Sequence, residues 1–278
     1  MKHLGKVEVL LGGDSSESEV SLLSGAEVHQ GLLQAGVDAH LYDTQKQSLF
    51  DLKKQGFERV FIVLHGGAGE DGRVQAVLET MGLPYTGCGM LASGLGMDKL
   101  RSKMIWQATG LPVPEFAVLQ DDTDFDAVEK TLGLPLFVKP AAEGSSVGVV
   151  KVTEKGTLAK VYQDLKQYRG AIIAERFIGG GEYTCGILGF EALPTIKIIP
   201  KTEFYDYEAK YFRDDTEYLC PADLTDADES LMRQLALQAF EVIGGRGWGR
   251  VDFLRGVDGK LYLLEINTVP GMTTHSLV

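Results

Sequence analysis

The sequence predicts an α/β protein in which an open parallel α/β unit is followed by two α+β units. Over about the first ninety residues, strand-like apolar runs alternate with helix-type periodicity, which is typical of a parallel sheet. The remaining chain contains successive strands with glycines at the reversals, which favours antiparallel sheets. The length of 278 residues suits two or three domains, and we place them at 1–92, 93–178 and 179–278.

Composition narrows the class of protein. With 39 Asp and Glu against 27 Lys and Arg, the net charge of -12 lacks the basic surface that nucleic-acid binding requires. No run of about eighteen apolar residues occurs, and Glu8 interrupts the short N-terminal run, so neither a membrane span nor a signal peptide is expected. We therefore expect a cytoplasmic protein. The three cysteines are far apart and lack ligand spacing, which indicates ordinary packed side chains.

In the first unit, residues 6–13 read as a strand ending in Gly-Gly. Ser15 or Ser16 can then cap a helix. The apolar positions predicted for that helix are Val20, Leu23 and Ala26. Strands at 38–42 and 60–64 follow, and a further helix is marked by Val74, Val77, Leu78 and Met81.

The loop between that third strand and its helix contains a Gly-x-Gly-x-x-Gly pattern at 67–72. This pattern occurs in dinucleotide-binding proteins, but their acidic residue after the next strand is missing, since 84–96 contains no acid. An NAD-dependent oxidoreductase is thus the weaker alternative. His65, just before the glycines, is either a buried, hydrogen-bonded histidine or a group facing a cleft at the strand end, and its position favours the cleft.

The second unit contains a different phosphate-binding pattern. A helix begins near Asp98 and stops at Gly110, and strands follow at FAVL, LFVKP and AIIAERF. Lys139 ends the strand LFVKP, and the loop 144–148 (GSSVG) can offer N–H groups and hydroxyls to phosphate oxygens, although such loops are also common hairpin turns. Lys99 in the first turn of its helix opposes the helix dipole, so we expect it to meet an anion unless it is solvated.

The third unit holds a long helix ending at Gly244-Gly245 and two strands around Asp258-Gly259. The apolar positions of the helix are Met232, Leu235, Ala236, Ala239, Phe240 and Ile243. With Asp258 and Gly259 as a two-residue loop, Asp252 faces Glu265 and Arg250 faces Asn267, all on one side of the sheet.

Facing carboxylates repel each other, and a cation between them removes the conflict. Asp252, Glu265 and Asn267 supply oxygen ligands that suit Mg²⁺, which keeps room for phosphate and water. The alternative is a solvated face in which Arg250 neutralises both acids, and a longer loop around Gly256 would break the register.

Motifs along nearly the whole chain resemble those of the D-alanine:D-alanine ligase family. They are LLGGDSSESEVSL, LHGGAGEDG, LPYTGCG, MDKLRSK, VKPAAEGSSVG, EYTCGIL, FYDYEAKY, CPADL, GWGRVDF and LEINTVPGMTTHSLV. The resemblance implies the three-domain ATP-grasp fold, in which two α+β domains clamp ATP behind the N-terminal parallel sheet. It also assigns the loop at 67–72 to this family's first domain.

The same resemblance implies roles for individual residues. Lys99 and Lys139 would hold ATP phosphates beneath the loop of Ser145, Ser146 and Val147, and two Mg²⁺ ions, replaceable by Mn²⁺, would bind Asp252, Glu265 and Asn267. The adenosine contacts would be Glu175, Arg176, Phe177, Ile178 and Glu182. The D-alanine contacts and reacting groups would be Glu17, His65, Ser145, Lys210, Tyr211, Arg250, Gly271, Ser276 and Leu277.

The implied reaction joins two D-alanines through an acyl phosphate for peptidoglycan precursor synthesis, releasing ADP and phosphate. Such phosphoryl transfer depends on positioning and charge neutralisation. The segment 204–219 is expected to be a lid that excludes water, and the protein is expected to be a homodimer. A ligase with another acceptor, such as D-lactate, and a non-catalytic nucleotide-binding module are the alternatives.

Overall fold

A computed structural model of the protein describes residues 4–201, 215–273 and 276–277. The first unit is a parallel sheet of three strands, β1 (Lys6–Leu11), β2 (Asp38–Asp43) and β3 (Arg59–Ile62), in the order β2-β1-β3. Helices α1 (Ser18–Gln34) and α2 (Arg73–Met81) connect and follow these strands. The predicted open parallel sheet is therefore confirmed.

The buried face of α1 differs from the predicted one. Leu23 is 62% exposed, and neither Ser15 nor Ser16 caps the helix, because Glu17 occupies the N-cap position. The residues buried against the sheet are Val20, Ser21, Ser24, Gly25 and Val28. A Cβ on Gly25 would lie 2.7 Å from Leu11 Cβ, so small residues allow α1 to approach β1.

The second sheet is antiparallel, with strand order β4-β7-β5-β6. Its strands are β4 (Phe116–Leu119), β5 (Leu136–Pro140), β6 (Val150–Val152) and β7 (Ile172–Arg176). Helices α5 (Phe125–Leu132) and α6 (Leu158–Leu165) supply apolar side chains to the same core. Lys139 on β5 and Glu175 on β7 are diagonal neighbours on one face of this sheet.

The third sheet is antiparallel in the order β11-β10-β8-β12-β13, with β9 paired to β8. Its strands are β8 (Glu182–Leu188), β9 (Glu191–Ala192), β10 (Ile196–Ile199), β11 (Glu217–Leu219), β12 (Trp248–Arg255) and β13 (Leu261–Asn267). Helix α7 (Asp226–Val242) buries the predicted apolar stripe against this sheet.

Two further helices, α3 (Met90–Met97) and α4 (Lys99–Ala108), connect the first and second sheets along the chain but pack on the core of the third. Trp106 of α4 is fully buried there and donates its indole N–H to the carbonyl of Ala239, 3.0 Å away. This packing fixes the start of α4, with Lys99, beside β13. Within the described part of the chain, no helix has the length and apolar character needed to cross a membrane.

Candidate active site

The predicted pairing of carboxylates across the β12–β13 hairpin is confirmed. Asp252 lies opposite Glu265, and Arg250 lies opposite Asn267. The predicted two-residue loop is wrong, however, because Arg255 pairs with Leu261 and leaves a longer loop closed by a hydrogen bond from Gly256 N to the carbonyl of Lys260. A register shift between Asp252 and Phe253 then compensates for the longer loop and restores the pairing at the site.

Different cations hold the two carboxylates. The Arg250 guanidinium donates two hydrogen bonds to Asp252, from Nε to Oδ1 at 2.8 Å and from Nη2 to Oδ2 at 2.9 Å. Lys99 Nζ lies 3.2 Å from Glu265 Oε2 and also donates to the carbonyl of Glu143. The anion expected near Lys99 is therefore Glu265, and the positive charge at this site is divided between two side chains.

Asp252 is oriented by three neighbours. Besides Arg250, Thr184 Oγ1 donates to Asp252 Oδ1 at 2.5 Å, and Asn267 Nδ2 donates to Oδ2 at 3.0 Å. Thr184 pairs directly with Asp252 across β8 and β12. This support keeps the carboxylate fixed at the floor of the site.

The oxygen donors at this position suit a hard cation. Two carboxylates from facing strands and a nearby side-chain amide match the ligands that Mg²⁺ takes before phosphate and water complete its shell. Across the described ranges, no group of three or more His, Cys, Asp and Glu side chains is arranged to hold a metal by itself. The oxygen donors fit Mg²⁺, which usually takes few protein ligands and shares its coordination with phosphates and water.

A cleft of about 610 Å³ lies between the second and third sheets. Its walls include all but one of the residues expected to hold ATP, together with two expected metal ligands. They are Lys99, Lys139, Ser146, Val147, Glu175, Arg176, Phe177, Ile178, Glu182, Asp252 and Glu265. Ser145, the exception, lines an adjoining cavity.

Aromatic side chains form the apolar part of the cleft. The rings of Phe137 and Phe177 are 6.0 Å apart between centroids, and both residues line the wall. The Arg176 guanidinium contacts Glu115 and the carbonyl of Thr131. Arg176 therefore contributes its backbone to the cleft wall. An apolar wall beside backbone donors and acceptors is suited to a flat heterocycle.

The cleft also contains a buried cluster of three charges. Glu175 lies between Lys139, at 2.7 Å from Oε2 to Nζ, and Lys103, at 3.0 Å from Oε1 to Nζ. Burial lowers the pKa of Lys103 to about 8 against the attraction of Glu175. Burial also opposes ionisation of Glu175, but the two lysines outweigh it and lower the pKa of that carboxyl. Sequence reasoning missed Lys103, because no pattern distinguishes it from a solvated lysine.

The glycine-serine loop has an uncommon backbone conformation. Ser145 has φ of 49° and Ser146 has φ of 60°, followed by Gly148 at 71°. Residues other than glycine rarely adopt positive φ, and such conformations concentrate at ligand-binding sites. A hydrogen bond from Val147 N to the carbonyl of Gly144 closes this turn, a geometry that ordinary hairpin turns share. The phosphate-binding interpretation is favoured instead by position, because Ser146 and Val147 line the larger cleft.

The adjoining cavity, of about 80 Å³, brings together residues from both ends of the chain. It is lined by the predicted substrate contacts and reacting groups Glu17, His65, Ser145, Arg250, Gly271, Ser276 and Leu277, and by Asn267. Lys99 and Glu265 line this cavity as well as the larger cleft. The two spaces therefore meet at this lysine–glutamate pair.

His65 fits both interpretations that the sequence left open. It is buried, with Nε2 3.1 Å from Ser24 Oγ, and it also lines the small cavity. Ser24 Oγ accepts a hydrogen bond from Met272 N at 3.1 Å, and so joins the histidine to the segment that carries Gly271. Ser24 lies on the small-residue face of α1, which the hydropathy pattern did not reveal.

Glu70 is a further cavity residue that the sequence did not single out. Its Oε2 accepts from Gly66 N at 2.8 Å, and Oε1 lies 4.0 Å from His65 Nδ1. The predicted contacts Lys210 and Tyr211, and most of the expected lid, lie outside the described residues.

Comparison with known proteins gives the same picture along the whole chain. Residues 105–278 match the family model described as "D-ala D-ala ligase C-terminus", and 43–88 match "D-ala D-ala ligase N-terminus". The sequence is 64% identical to the D-alanine--D-alanine ligase of Neisseria gonorrhoeae over 279 residues, covering 100% of this chain and 92% of that protein. It is 60% identical to the corresponding ligase of Laribacter hongkongensis, covering 99% and 90%.

Two solved structures of ligases are similar to this chain in fold. A crystal structure of D-alanine--D-alanine ligase from Bacillus anthracis complexed with ATP has a TM-score of 0.85 and 32% identity, covering 98% of this chain and 89% of that one. The VanG D-Ala:D-Ser ligase of Enterococcus faecalis has a TM-score of 0.83 and 28% identity, covering 98% and 92%.

Proposed function

The chain belongs to the D-alanine--D-alanine ligase family, and we propose that its two adjoining cavities carry the two halves of an ATP-dependent ligation. The protein is an ATP-grasp ligase that joins two D-alanines to D-alanyl-D-alanine for peptidoglycan synthesis. The observation that carries the proposed arrangement is the shared wall of Lys99 and Glu265. At this wall, the γ-phosphate of ATP bound in the cleft would meet the carboxylate of the first D-alanine bound in the small cavity.

The larger cleft would bind ATP. The hinge Glu175 to Ile178 and the Phe137 ring are suited to adenine, and Glu182 lies at the cleft wall where a ribose would follow. Lys99 and Lys139 supply positive charge to the phosphates, and the left-handed turn at Ser145 and Ser146 supplies N–H groups.

Asp252, Glu265 and Asn267 would hold Mg²⁺. When bound there, the ions neutralise charge on the ATP phosphates during transfer. Before ATP binds, Arg250 and Lys99 balance the same carboxylates. The resemblance implies two ions, with Mn²⁺ as a substitute.

The smaller cavity would bind the amino acids. Glu17, buried at the start of α1, receives the ammonium of the first D-alanine, and His65 forms part of the same wall. Ser276 and Leu277 lie where the carboxylate of the second D-alanine is expected. Lys210 and Tyr211 complete this set in the resemblance.

The proposed chemistry proceeds in two steps. A carboxylate oxygen of the first D-alanine bonds to the γ-phosphorus, and the bond from that phosphorus to the bridging oxygen of ADP breaks. The amine of the second D-alanine, after losing a proton, bonds to the acyl carbon of the resulting acyl phosphate, and phosphate leaves. Arg250 and the backbone of Gly271 line the cavity and would stabilise negative charge at the reacting carboxyl.

Further properties complete the proposal. We assign the protein to the cytoplasm, where ATP is available, and divide it into domains 1–92, 93–178 and 179–278, each containing one sheet.

We also propose a homodimer, supported by the exposed leucines Leu22 and Leu33, which lie eleven residues apart on one side of α1. Size-exclusion chromatography with light scattering tests the dimer, because a monomer at micromolar concentration contradicts it.

The central experiment measures phosphate release from ATP with amino acids supplied singly and in pairs. D-alanine alone should support turnover, whereas L-alanine should not. D-lactate and D-serine are offered together with D-alanine, because a D-Ala:D-Ser ligase shares the fold. Products are identified by mass spectrometry, and a mixed product formed as readily as D-alanyl-D-alanine would contradict the proposed acceptor.

A further inference from the structure

We propose that Lys103 is a positioning residue for ATP binding, which holds the Glu175 carboxylate in place from behind the nucleotide cleft. The inference deepens the proposed function, since it rests on Glu175 facing the adenine. Lys103 lines neither cavity, so it would act on the nucleotide through Glu175.

The geometry separates Lys103 from the cleft. Lys103 is fully buried, and it is absent from the cleft wall that Glu175 and Lys139 line. Its ammonium lies 3.0 Å from Glu175 Oε1, while Lys139 approaches Oε2 at 2.7 Å. The carboxylate is thus held by one lysine at the cleft surface and by another behind it.

Burial of this ammonium requires a reason. A buried lysine ammonium strongly destabilises the folded state unless an anion and hydrogen-bond acceptors surround it. Glu175 is the anion, and the carbonyl of Leu263 is a weak further acceptor at 3.4 Å. Lys103 lies one helical turn after Lys99 on α4, so the packing that fixes Lys99 at the site also fixes Lys103.

Lys103 explains how Lys139 can pair with Glu175 in one state and bind phosphate in another. Lys139 pairs with Glu175 in this structure, yet the proposed function requires it to bind phosphate. If Lys139 were the sole counter-ion, its movement toward phosphate would leave a buried carboxylate uncompensated. Lys103 keeps Glu175 charged and oriented, and so permits Lys139 to move to the nucleotide.

A fixed carboxylate at the adenine site also selects the class of nucleotide. It accepts a hydrogen bond from a purine that carries an exocyclic amino group at position 6, and it repels a purine with a carbonyl there. Lys103 therefore contributes to the preference for ATP over ITP. A loosely held Glu175 would discriminate less.

The test uses Lys103→Met in the full-length protein, because methionine has similar length without charge. The ATP KM should rise about tenfold, as expected when a buried carboxylate loses one of its two lysine partners. The ratio of kcat/KM for ATP over ITP should fall by a similar factor, while the D-alanine KM stays within about twofold. Lys130→Met, at an exposed lysine of α5, is the matched control and should change none of these values.

A double-mutant comparison separates positioning from simple packing. Adding Lys103→Met to Glu175→Gln should change the ATP KM less than twofold, because a neutral side chain no longer needs the counter-ion. Independent, multiplying effects would overturn the proposal. If Lys103→Met does not fold while the double variant folds, the unpaired Glu175 charge causes the misfolding. That result supports the proposal.

These outcomes distinguish the inference from the proposed function. Wild-type protein is first assayed for D-alanine-dependent phosphate release. An unchanged ATP KM and ATP:ITP ratio in Glu175→Gln would remove Glu175 from adenine recognition and overturn both statements. If Glu175→Gln weakens ATP use but Lys103→Met does not, only the role of Lys103 is overturned.

Discussion

Asp252 and Glu265 face each other across β12 and β13, and each carboxylate is paired with a different cation, Arg250 on Asp252 and Lys99 on Glu265. Like charges directly opposite in a sheet destabilise it, and these cations offset the repulsion before a metal binds. Nucleotide binding would move Lys99 toward phosphate and leave Glu265 for Mg²⁺. The exchange of partners makes Glu265 the more informative carboxylate to change.

Glu265→Gln should raise the Mg²⁺ concentration needed for half-maximal turnover and lower the maximal rate at least tenfold, about 1.4 kcal/mol in activation free energy. The amide retains one oxygen donor but loses the negative charge. The measurement is phosphate release across a Mg²⁺ titration, with Glu191→Gln at an exposed strand residue as the control. A variant with the wild-type metal titration removes Glu265 from the metal site.

Lys139→Ala should weaken ATP binding about tenfold or more, and D-alanine binding by less than twofold. The substitution removes a cation from the phosphates and one of the two partners of Glu175. Isothermal titration calorimetry with a non-hydrolysable ATP analogue measures the change, and Lys130→Ala is the control. Equal ATP affinity in variant and wild type would contradict the assigned role.

Ser24→Ala should raise the KM for D-alanine several-fold and lower the free energy of unfolding by about 1–2 kcal/mol. The variant removes the hydroxyl that contacts His65, which lines the amino-acid cavity, and that accepts from Met272 N, next to Gly271 of the same cavity. The ATP KM should change little. Steady-state kinetics and urea unfolding provide both measurements, and Ser230→Ala on the exposed face of α7 is the control. An unaltered D-alanine KM would restrict Ser24 to a structural role.

Glu8→Gln should stabilise the protein at pH 8 but not near pH 4.5. Burial raises the pKa of this fully enclosed carboxyl to about 8, against the opposing effect of Lys6. The native state therefore holds a proton between pH 4.5 and 8 that the unfolded state has lost, so wild-type stability falls as pH rises. The slope reaches at most about 1.4 kcal/mol per pH unit. Urea unfolding from pH 5 to 9 tests this, and parallel wild-type and variant curves would contradict it.

Tyr211→His should lose D-alanine coupling more at pH 6 than at pH 8. Tyr211 lies outside the described residues, and the prediction rests on the motif FYDYEAKY. An imidazolium, present below a pKa of about 6.5, would repel an incoming ammonium but tolerate the hydroxyl of D-lactate. Product analysis with mixed acceptors at both pH values provides the measurement. Wild-type protein that uses D-lactate as readily as D-alanine at pH 7.5 would show that Tyr211 is not the selector.

Much of the architecture was predictable because it depends on local patterns. The alternation of strand and helix at the start of the chain indicated the parallel sheet. The i, i+3, i+4 spacing after residue 231 marked α7 and its buried face. Both signals arise from periodic burial, which sequence records directly.

Features that depend on close packing were harder to predict. The buried face of α1 uses Ser24 and Gly25 because the helix approaches β1 closely, whereas hydropathy favoured Leu23. The Asp252–Glu265 pairing was predicted from a loop that the structure corrects, and it holds because the register shift offsets the longer loop. Lys103 is functional only through its tertiary position against Glu175, which no local pattern encodes.

The hydrogen bond from Met272 N to Ser24 Oγ joins residues 248 positions apart in the chain. During synthesis the N-terminal sheet and α1 emerge long before the segment that closes the amino-acid cavity. In a nascent chain that has not yet reached Met272, the cavity is therefore incomplete, because Ser24 lacks its hydrogen bond from Met272 N. The amino-acid cavity is complete only after the segment that carries Met272 has been synthesised and has folded back onto α1.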